Sequence, residues 1–441
     1  MSAAEPASFA ELERVLAARV DFERTPPSEG FELARVRALA AALGEPGAAL
    51  PAVHVAGTTG KGTLTALIAC ATSLAGLETG WTTSPHLCHL RERIRIGPGP
   101  LSDSGWCRAL GEVLVAEERA RDAGGSHDPA TFFELVILSA LAAFRRAKLD
   151  LSVVEVGLGG RLDATRAVQP SVSVITRIGL DHRELLGDDE ASVAREKAGI
   201  LVPGVPLVAG PEHPAAQEAI AERARALGCP TWWLGQELKV AKGRLEVPGR
   251  SLTLPDLSAN PVRRPAAALA GGVLLRLEEL LGRSDLLAAL PAALERLRWR
   301  GRCEWIESEP PLLLDGAHDA PSAQALGQAY QARAGATPAG LLLAVARGKD
   351  LEGIVSALSP LVERAWACAA HGPGRALDPQ DLAAKLERAG IETEVCPSPQ
   401  SALERAQAWS RASGRPLLAG GSLYLVGALL SALGLDADLA W

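Results

Sequence analysis

The sequence predicts an α/β protein made of two successive parallel sheets, and three observations carry that expectation. Short apolar runs without polar alternation recur between helical stretches, the pattern of strands buried on both faces. The first of these runs ends in a glycine-rich loop that opens directly into a helix. A second alternating series begins after Trp299-Arg300-Gly301-Arg302, which puts a boundary near 297–301 and divides the chain into 1–298 and 299–441. A length of 441 residues accommodates two or three domains and a full core.

Taken in order, PAVHVAG (51–57) reads as a strand and TTGKGTLTALIACATSLAGL as the helix after it. Thr131 to Lys148 reads as a long, mostly buried helix, followed by strands LSVVEVG (151–157), VSVITRIG (172–179) and PLVAG (206–210). A helix spans Pro214 to Leu227. Between Trp232 and Leu257 the runs shorten to LKVAKGRLEV and RSLTL, predicting a small antiparallel excursion. The second series offers strands at 311–316, 340–346, 365–370, 391–396 and 416–421.

Composition excludes several classes. Hydrophobic residues at 48% and charged residues at 22% rule out wholesale disorder. With 45 basic against 52 acidic residues the formal charge is −7, which argues against general nucleic-acid binding. Seven cysteines without CxxC spacing fit reduced thiols in the cytoplasm better than a zinc site or a disulfide framework. The N-terminus carries acids early and lacks an apolar stretch, so no secretory signal is expected. Leu417 to Leu435 is uncharged and nearly long enough to span a bilayer, but its Gly-Gly-Ser break predicts a strand, a turn and a helix.

Gly57-Thr58-Thr59-Gly60-Lys61-Gly62-Thr63 stands between a strand and a helix, where backbone N–H groups, the helix dipole and a lysine converge on phosphate oxygens. The spacing differs from GxxxxGK[ST], and the plain alternative is a turn with a surface lysine. TSPHL (83–87) is by itself a turn, and the charge run Arg91-Glu92-Arg93-Ile94-Arg95-Ile96 reads as a solvated face. Glu155 lies near the carboxyl end of an apolar strand, where open α/β sheets bind ligands, and an acid there needs a cation or an arginine. Asp181-His182 repeats the arrangement after the next strand, making His182 a candidate metal ligand.

GTTGKGT, TSPHL…ERIRI, EVGLGGRLDAT, IGLDH, REKAGI, LLLDGAHD and GSLYLVG occur in the order seen in folylpolyglutamate and dihydrofolate synthases of the Mur ligase superfamily, and the sequence resembles that family from about 35 to 427. His86 and Thr131-Phe132-Phe133-Glu134 look like the bacterial bifunctional type. The resemblance implies a P-loop NTPase-like N-terminal domain and a Rossmann-like C-terminal domain. It also implies a cytoplasmic, monomeric ligase that uses ATP and two Mg²⁺ to join L-glutamate to dihydropteroate or folate through an acyl phosphate, without nucleic-acid or membrane partners. By the same resemblance, Gly57 to Thr63 cradle the phosphates with Lys61 as fixed charge. Ser84, Glu155 and His182 hold Mg²⁺, and Lys197 becomes a carbamate ligand for the second ion, which requires a neutral amine. Thr131, Leu162, Asp163 and Ala164 match pterin positions. Arg264, Arg302, Asp315 and His318 fall on the nucleotide side.

The departures from the family pattern are of one kind. Thr59, Arg166, Arg264 and Asp319 stand where the family has asparagine, and Arg300 where it has proline. Arginine cannot accept a hydrogen bond as an asparagine can. These changes keep two alternatives open: a divergent ligase acting on a non-folate carboxylate, and a weakly active nucleotide-binding regulatory protein.

Overall fold

The computed structural model describes residues 5–22, 33–124, 128–257, 260, 263–370 and 375–436. The first four residues of the N-terminal segment, and Pro261-Val262, lie outside them.

The first sheet has eight strands: β1 (Ala52–Ala56), β2 (Thr79–Thr82), β3 (Ile94–Ile96), β4 (Gly99–Pro100), β5 (Leu151–Glu155), β6 (Val172–Ile175), β7 (Leu207–Ala209) and β8 (Thr231–Trp233). Their order is β4-β3-β2-β5-β1-β6-β7-β8. The six strands from β2 to β8 run parallel, while β3 and β4 add an antiparallel edge. Helices cover both faces, which is why β1, β5 and β6 are buried at every position rather than alternating. β1 lies between β5 and β6, so the three loops leaving their carboxyl ends are neighbours at the point where the strand order reverses.

The expected antiparallel excursion is a three-stranded sheet of β9 (Lys239–Ala241), β10 (Arg244–Val247) and β11 (Arg250–Thr253). Its apolar face rests on the Arg263–Leu281 helix, and the approach requires Gly271: a Cβ there would meet Leu245 at 2.5 Å. The remaining strands are β12 (Glu304–Ile306), β13 (Leu312–Leu314), β14 (Ala339–Leu343), β15 (Val362–Ala367), β16 (Glu392–Val395) and β17 (Leu417–Gly420). They form a third sheet in the order β12-β13-β17-β14-β15-β16, parallel except for β12.

The first and third sheets are joined closely. The loop holding Leu87 and Cys88 packs on the Leu423–Ala432 helix, where a Cβ on Gly427 would lie 2.2 Å from the Leu87 carbonyl oxygen. Trp299, in the connection between the sheets, meets Trp81 with ring centroids 5.7 Å apart.

Two readings of the sequence are refined here. Leu417–Leu435 is β17 followed by a ten-residue helix, and among the described residues no helix is long and apolar enough to cross a membrane. The run from Arg91 to Ile96 is not a solvated face: Arg93 and Arg95 are 2% and 6% exposed. Their guanidinium groups lie 4.9 Å from the Phe132 ring centroid and 5.0 Å from that of Trp81, and Arg93 Nε donates to His86 Nδ1 at 2.7 Å. A delocalised, weakly hydrated guanidinium can be buried against aromatic faces where an ammonium is far more costly.

Candidate active site

The loop after β1 is held open from behind. Gly57 has φ +144°, and a Cβ there would collide with the Thr176 hydroxyl at 1.8 Å. The Thr58 N–H donates to the Arg177 carbonyl at 2.8 Å, and the Thr58 hydroxyl donates to the Gly179 carbonyl at 3.0 Å. Thr176 donates its hydroxyl to the Thr59 carbonyl at 2.8 Å, so this brace uses the backbone of residue 59 rather than its side chain. Gly60, at φ +88°, precedes the Lys61–Leu74 helix without a side-chain cap. The first N–H groups of that helix and its dipole are therefore left for an anion. Lys61 Nζ curls back to the Thr58 carbonyl at 3.2 Å, and the buried Thr63 hydroxyl has no hydrogen-bond partner.

Glu155 ends β5 beside this loop and is 4% exposed. The Ser84 N–H donates to its Oε2 at 3.1 Å. A Cβ on Gly62 would sit 3.3 Å from the same oxygen and 3.3 Å from the Trp299 ring, so glycine keeps the space between carboxylate and phosphate loop clear. Burial pushes the Glu155 carboxyl up to about 7 against the opposing pull of Lys61, the Ser84 N–H, Arg302 and Arg93. A carboxylate this reluctant to ionise gains most from a cation brought to it.

Lys197 closes the Glu190–Lys197 helix and is also 4% exposed. Burial, reinforced by the Lys61 charge, brings its ammonium down to about 7, while Asp181 and Asp163 pull the other way. The neutral amine that carbamate formation requires is thus accessible near neutral pH. The glycine loop after β5 lies against the end of this helix: a Cβ on Gly160 would be 2.9 Å from the Lys197 carbonyl oxygen. His182 adopts φ +50° and lies 3.8 Å from Asp181 and 3.9 Å from Glu184, with burial lowering its pKa.

The residues matched to pterin carry structural duties. Thr131 caps the Phe132–Ala147 helix in a reciprocal box with Glu134, which Arg35 grips at 2.8 and 2.9 Å. Asp163 is buried and accepts from the Leu158 and Thr165 N–H groups, both at 2.9 Å, and from the Thr165 hydroxyl at 2.5 Å. Its carboxylate thus shapes the loop between Leu158 and Thr165, with Leu162 half-buried and Ala164 buried. Phe133, noted in the sequence only as part of the Thr131–Glu134 segment and given no site role, has its ring against Gly157, where a Cβ would meet it at 2.5 Å.

The third sheet supplies the opposite wall. Asp315 is buried and accepts the Cys303 N–H at 2.7 Å; burial raises its pKa against the pull of Arg302. The Arg302 charge reaches both Asp315 and Glu155. His318 Nδ1 lies 2.9 Å from the Gly316 carbonyl, and its Nε2 lies 3.7 Å from Asp181 across the cleft. Lys349 also reaches Asp181. No local sequence signal marks Lys349. Arg264 is exposed at the start of its helix. Arg166 donates to the Ile200 carbonyl at 3.0 Å, and Arg300 pairs with Glu304 at 2.8 Å. These two departures therefore have structural roles.

The structure thus brings Lys61, Thr63, Ser84 and Glu155 together and couples Lys197 to Lys61 through charge. Among the described residues no group of three or more His, Cys, Asp or Glu side chains converges as a metal cage. Magnesium needs none: it keeps several waters and takes one or two carboxylates plus phosphate oxygens.

Residues 303–432 match the family described as dihydrofolate synthetase, C-terminal domain. The dihydrofolate synthase/folylpolyglutamate synthase of Mycobacterium tuberculosis is 32% identical over 401 residues, covering 86% of this chain and 81% of its own. The Escherichia coli FolC structure in complex with DHPP and ADP superposes with a TM-score of 0.84 at 28% identity, covering 98% of this chain and 99% of that one. A bifunctional folylpolyglutamate synthase/dihydrofolate synthase with Mn, AMPPNP and L-glutamate bound gives 0.82 at 28% identity, covering 98% and 100%. With its open phosphate loop, its buried Glu155 and Lys197, and relatives matched along nearly its whole length, the chain belongs to the dihydrofolate synthase/folylpolyglutamate synthase family of ATP-dependent glutamate ligases.

Proposed function

We propose that this ligase joins L-glutamate to the carboxylate of dihydropteroate and of folates, as a cytoplasmic monomer with domains at 1–298 and 299–441. The observation that carries the reading is the placement of Glu155 and a deprotonatable Lys197 around one phosphate loop, each within the electrostatic reach of Lys61. The loop N–H groups and Lys61 hold the ATP phosphates, and a pterin carboxylate oxygen attacks the γ-phosphorus, releasing ADP. The glutamate amine, once deprotonated, attacks the acyl carbon; the C–O bond breaks and phosphate leaves with that oxygen. Ser84, Glu155, His182 and carbamylated Lys197 are the residues that would hold two Mg²⁺, which neutralise charge on the transferring phosphoryl group when bound. The unpartnered Thr63 hydroxyl and the buried Glu155 carboxyl fit that load. Seven unpaired cysteines suit a reducing compartment.

The testing experiment measures ADP formation with dihydropteroate and glutamate together and with each omitted. Strict dependence on both supports the assignment. Glutamate-dependent turnover on a different carboxylic acid, with all pterins and folates inert, overturns the substrate half of it.

A further inference from the structure

Asp181 and Lys349 come from facing loops of different sheets. Asp181 follows β6, at the carboxyl end of the first sheet, and Lys349 follows β14, at the carboxyl end of the third. Their side chains form an ion pair across 168 residues of sequence, with only 19% and 20% of their surfaces exposed. His318, from the loop after β13, approaches the second Asp181 oxygen at 3.7 Å. One carboxylate of the first sheet thus faces two side chains of the third. Asp181 is also fixed by its own backbone, since its Oδ1 accepts the His182 N–H at 2.8 Å. Lys349 sits in a turn held between the Lys349 N–H bond to the Ala346 carbonyl and the Leu351 N–H bond to the Lys349 carbonyl, just before the Leu351–Leu358 helix capped by Asp350.

We infer that Lys349 and Asp181 form a clasp between the two sheets, and that Lys349 is a positioning residue: by gripping Asp181 it couples docking of the third sheet to the placement of His182. The inference rests on the proposed ligase reading, since the value of the clasp lies in assembling both walls around the acyl phosphate. The geometry fits the role: one Asp181 oxygen takes Lys349 and the His182 N–H, while the other faces His318. A half-desolvated pair is screened less by salt than a surface pair and keeps its geometry better. The phosphate loop and its brace are built from residues of the first sheet, so on the proposed reading ATP seats there before the clasp forms. Glutamate ligation, which needs groups from both walls at once and exclusion of water from the acyl phosphate, then depends on closure.

The test is a double-mutant cycle in the full-length enzyme with Asp181→Asn, Lys349→Met and the pair. Each single change is expected to lower kcat by about 10- to 100-fold, the usual cost of losing an outer positioning contact. The affinity for ATP, read by direct titration, should stay within about twofold of wild type. The double variant should be no slower than the slower single variant, because the second change removes an interaction already broken. Lys349→Arg, which keeps the charge, should recover most of the rate. Hydrogen exchange supplies a readout independent of turnover: segments 179–183 and 344–350 should lose protection together in either single variant. Independent effects that multiply in the double variant would overturn the clasp. So would a rise confined to the glutamate KM on Lys349→Met with Asp181→Asn unaffected, which would make Lys349 a substrate anchor. A wild-type enzyme without glutamate-dependent ADP formation would instead remove the ligase reading and leave the exchange result to judge the clasp alone.

Discussion

The first loop, after β1, and the second, after β13, each lead from a parallel-paired strand into a helix, yet the two are finished in opposite ways. After β1, the Lys61–Leu74 helix begins at a glycine with no side-chain cap, with the Thr63 hydroxyl unpartnered in its first turn. After β13, the Ala320–Ala334 helix begins at Asp319, whose carboxylate accepts the Ser322 N–H at 2.8 Å while Ser322 Oγ accepts the Asp319 N–H at 3.2 Å. One helix end is left for an external anion, and the other is filled by its own carboxylate. The phosphate chemistry therefore belongs to the first loop, and the second contributes side chains to the facing wall. The comparison also accounts for Asp319 in place of the family's asparagine, because both residues cap a helix equally well.

The largest expected effect that would sharpen this contrast is at Lys197. Lys197→Ala should abolish turnover, Lys197→Arg should not restore it because arginine forms no carbamate, and a short-chain acid should partly rescue the alanine variant. A fully active Lys197→Arg enzyme would break the assignment. Stability should move the other way. The folded-state pKa of Lys197 is depressed to about 7, so its contribution is present above the unfolded value and lost as pH falls through about 7. Lys197→Met should therefore raise the Tm of the ligand-free protein at pH 6 and change it little near pH 10.5, as differential scanning calorimetry at both pH values would reveal.

Next in size is Glu155. Glu155→Ala should cut turnover by about 100-fold or more at limiting Mg²⁺ while the circular dichroism spectrum is retained, since removing one metal-directed carboxylate removes transition-state charge stabilisation. Near-wild-type turnover at limiting Mg²⁺ would remove Glu155 from the metal site. The smallest effect is at the capped loop. Asp319→Asn should leave both rate and Tm close to wild type, whereas Asp319→Ala should cost about 1 kcal/mol of stability in denaturant titration for the lost cap. A large rate loss in Asp319→Asn with unchanged stability would show that the second loop handles charge directly.

Much of the site was legible because its signals are local. Gly57 to Thr63 between strand and helix, Glu155 at the end of an apolar run, and the antiparallel excursion after Trp232 could each be read from a few neighbouring residues. What stayed hidden depends on contacts that exist only once the chain has folded, whether the partners are near or far in sequence. Arg93 and Arg95 looked like a solvated face because the rings that take them in, Phe132, Trp81 and Trp299, lie 39 residues or more from Arg93 or 14 and 204 from Arg95 by number. Lys349 looked like any loop lysine because Asp181 belongs to the other sheet. Asp163 was read as a pterin partner, while the hydrogen bonds that occupy its carboxylate come from backbone N–H groups that sequence alone does not orient.

On the proposed mechanism, the first loop directs phosphoryl transfer onto a pterin carboxylate before the amine attacks. The most direct measurement follows oxygen. Dihydropteroate labelled with ¹⁸O in its carboxylate, turned over with ATP and glutamate, should deliver one ¹⁸O to each inorganic phosphate released, read by the isotope shift in ³¹P NMR. Phosphate released without label, while the glutamyl amide still forms, would contradict the acyl phosphate and with it the role given to the loop.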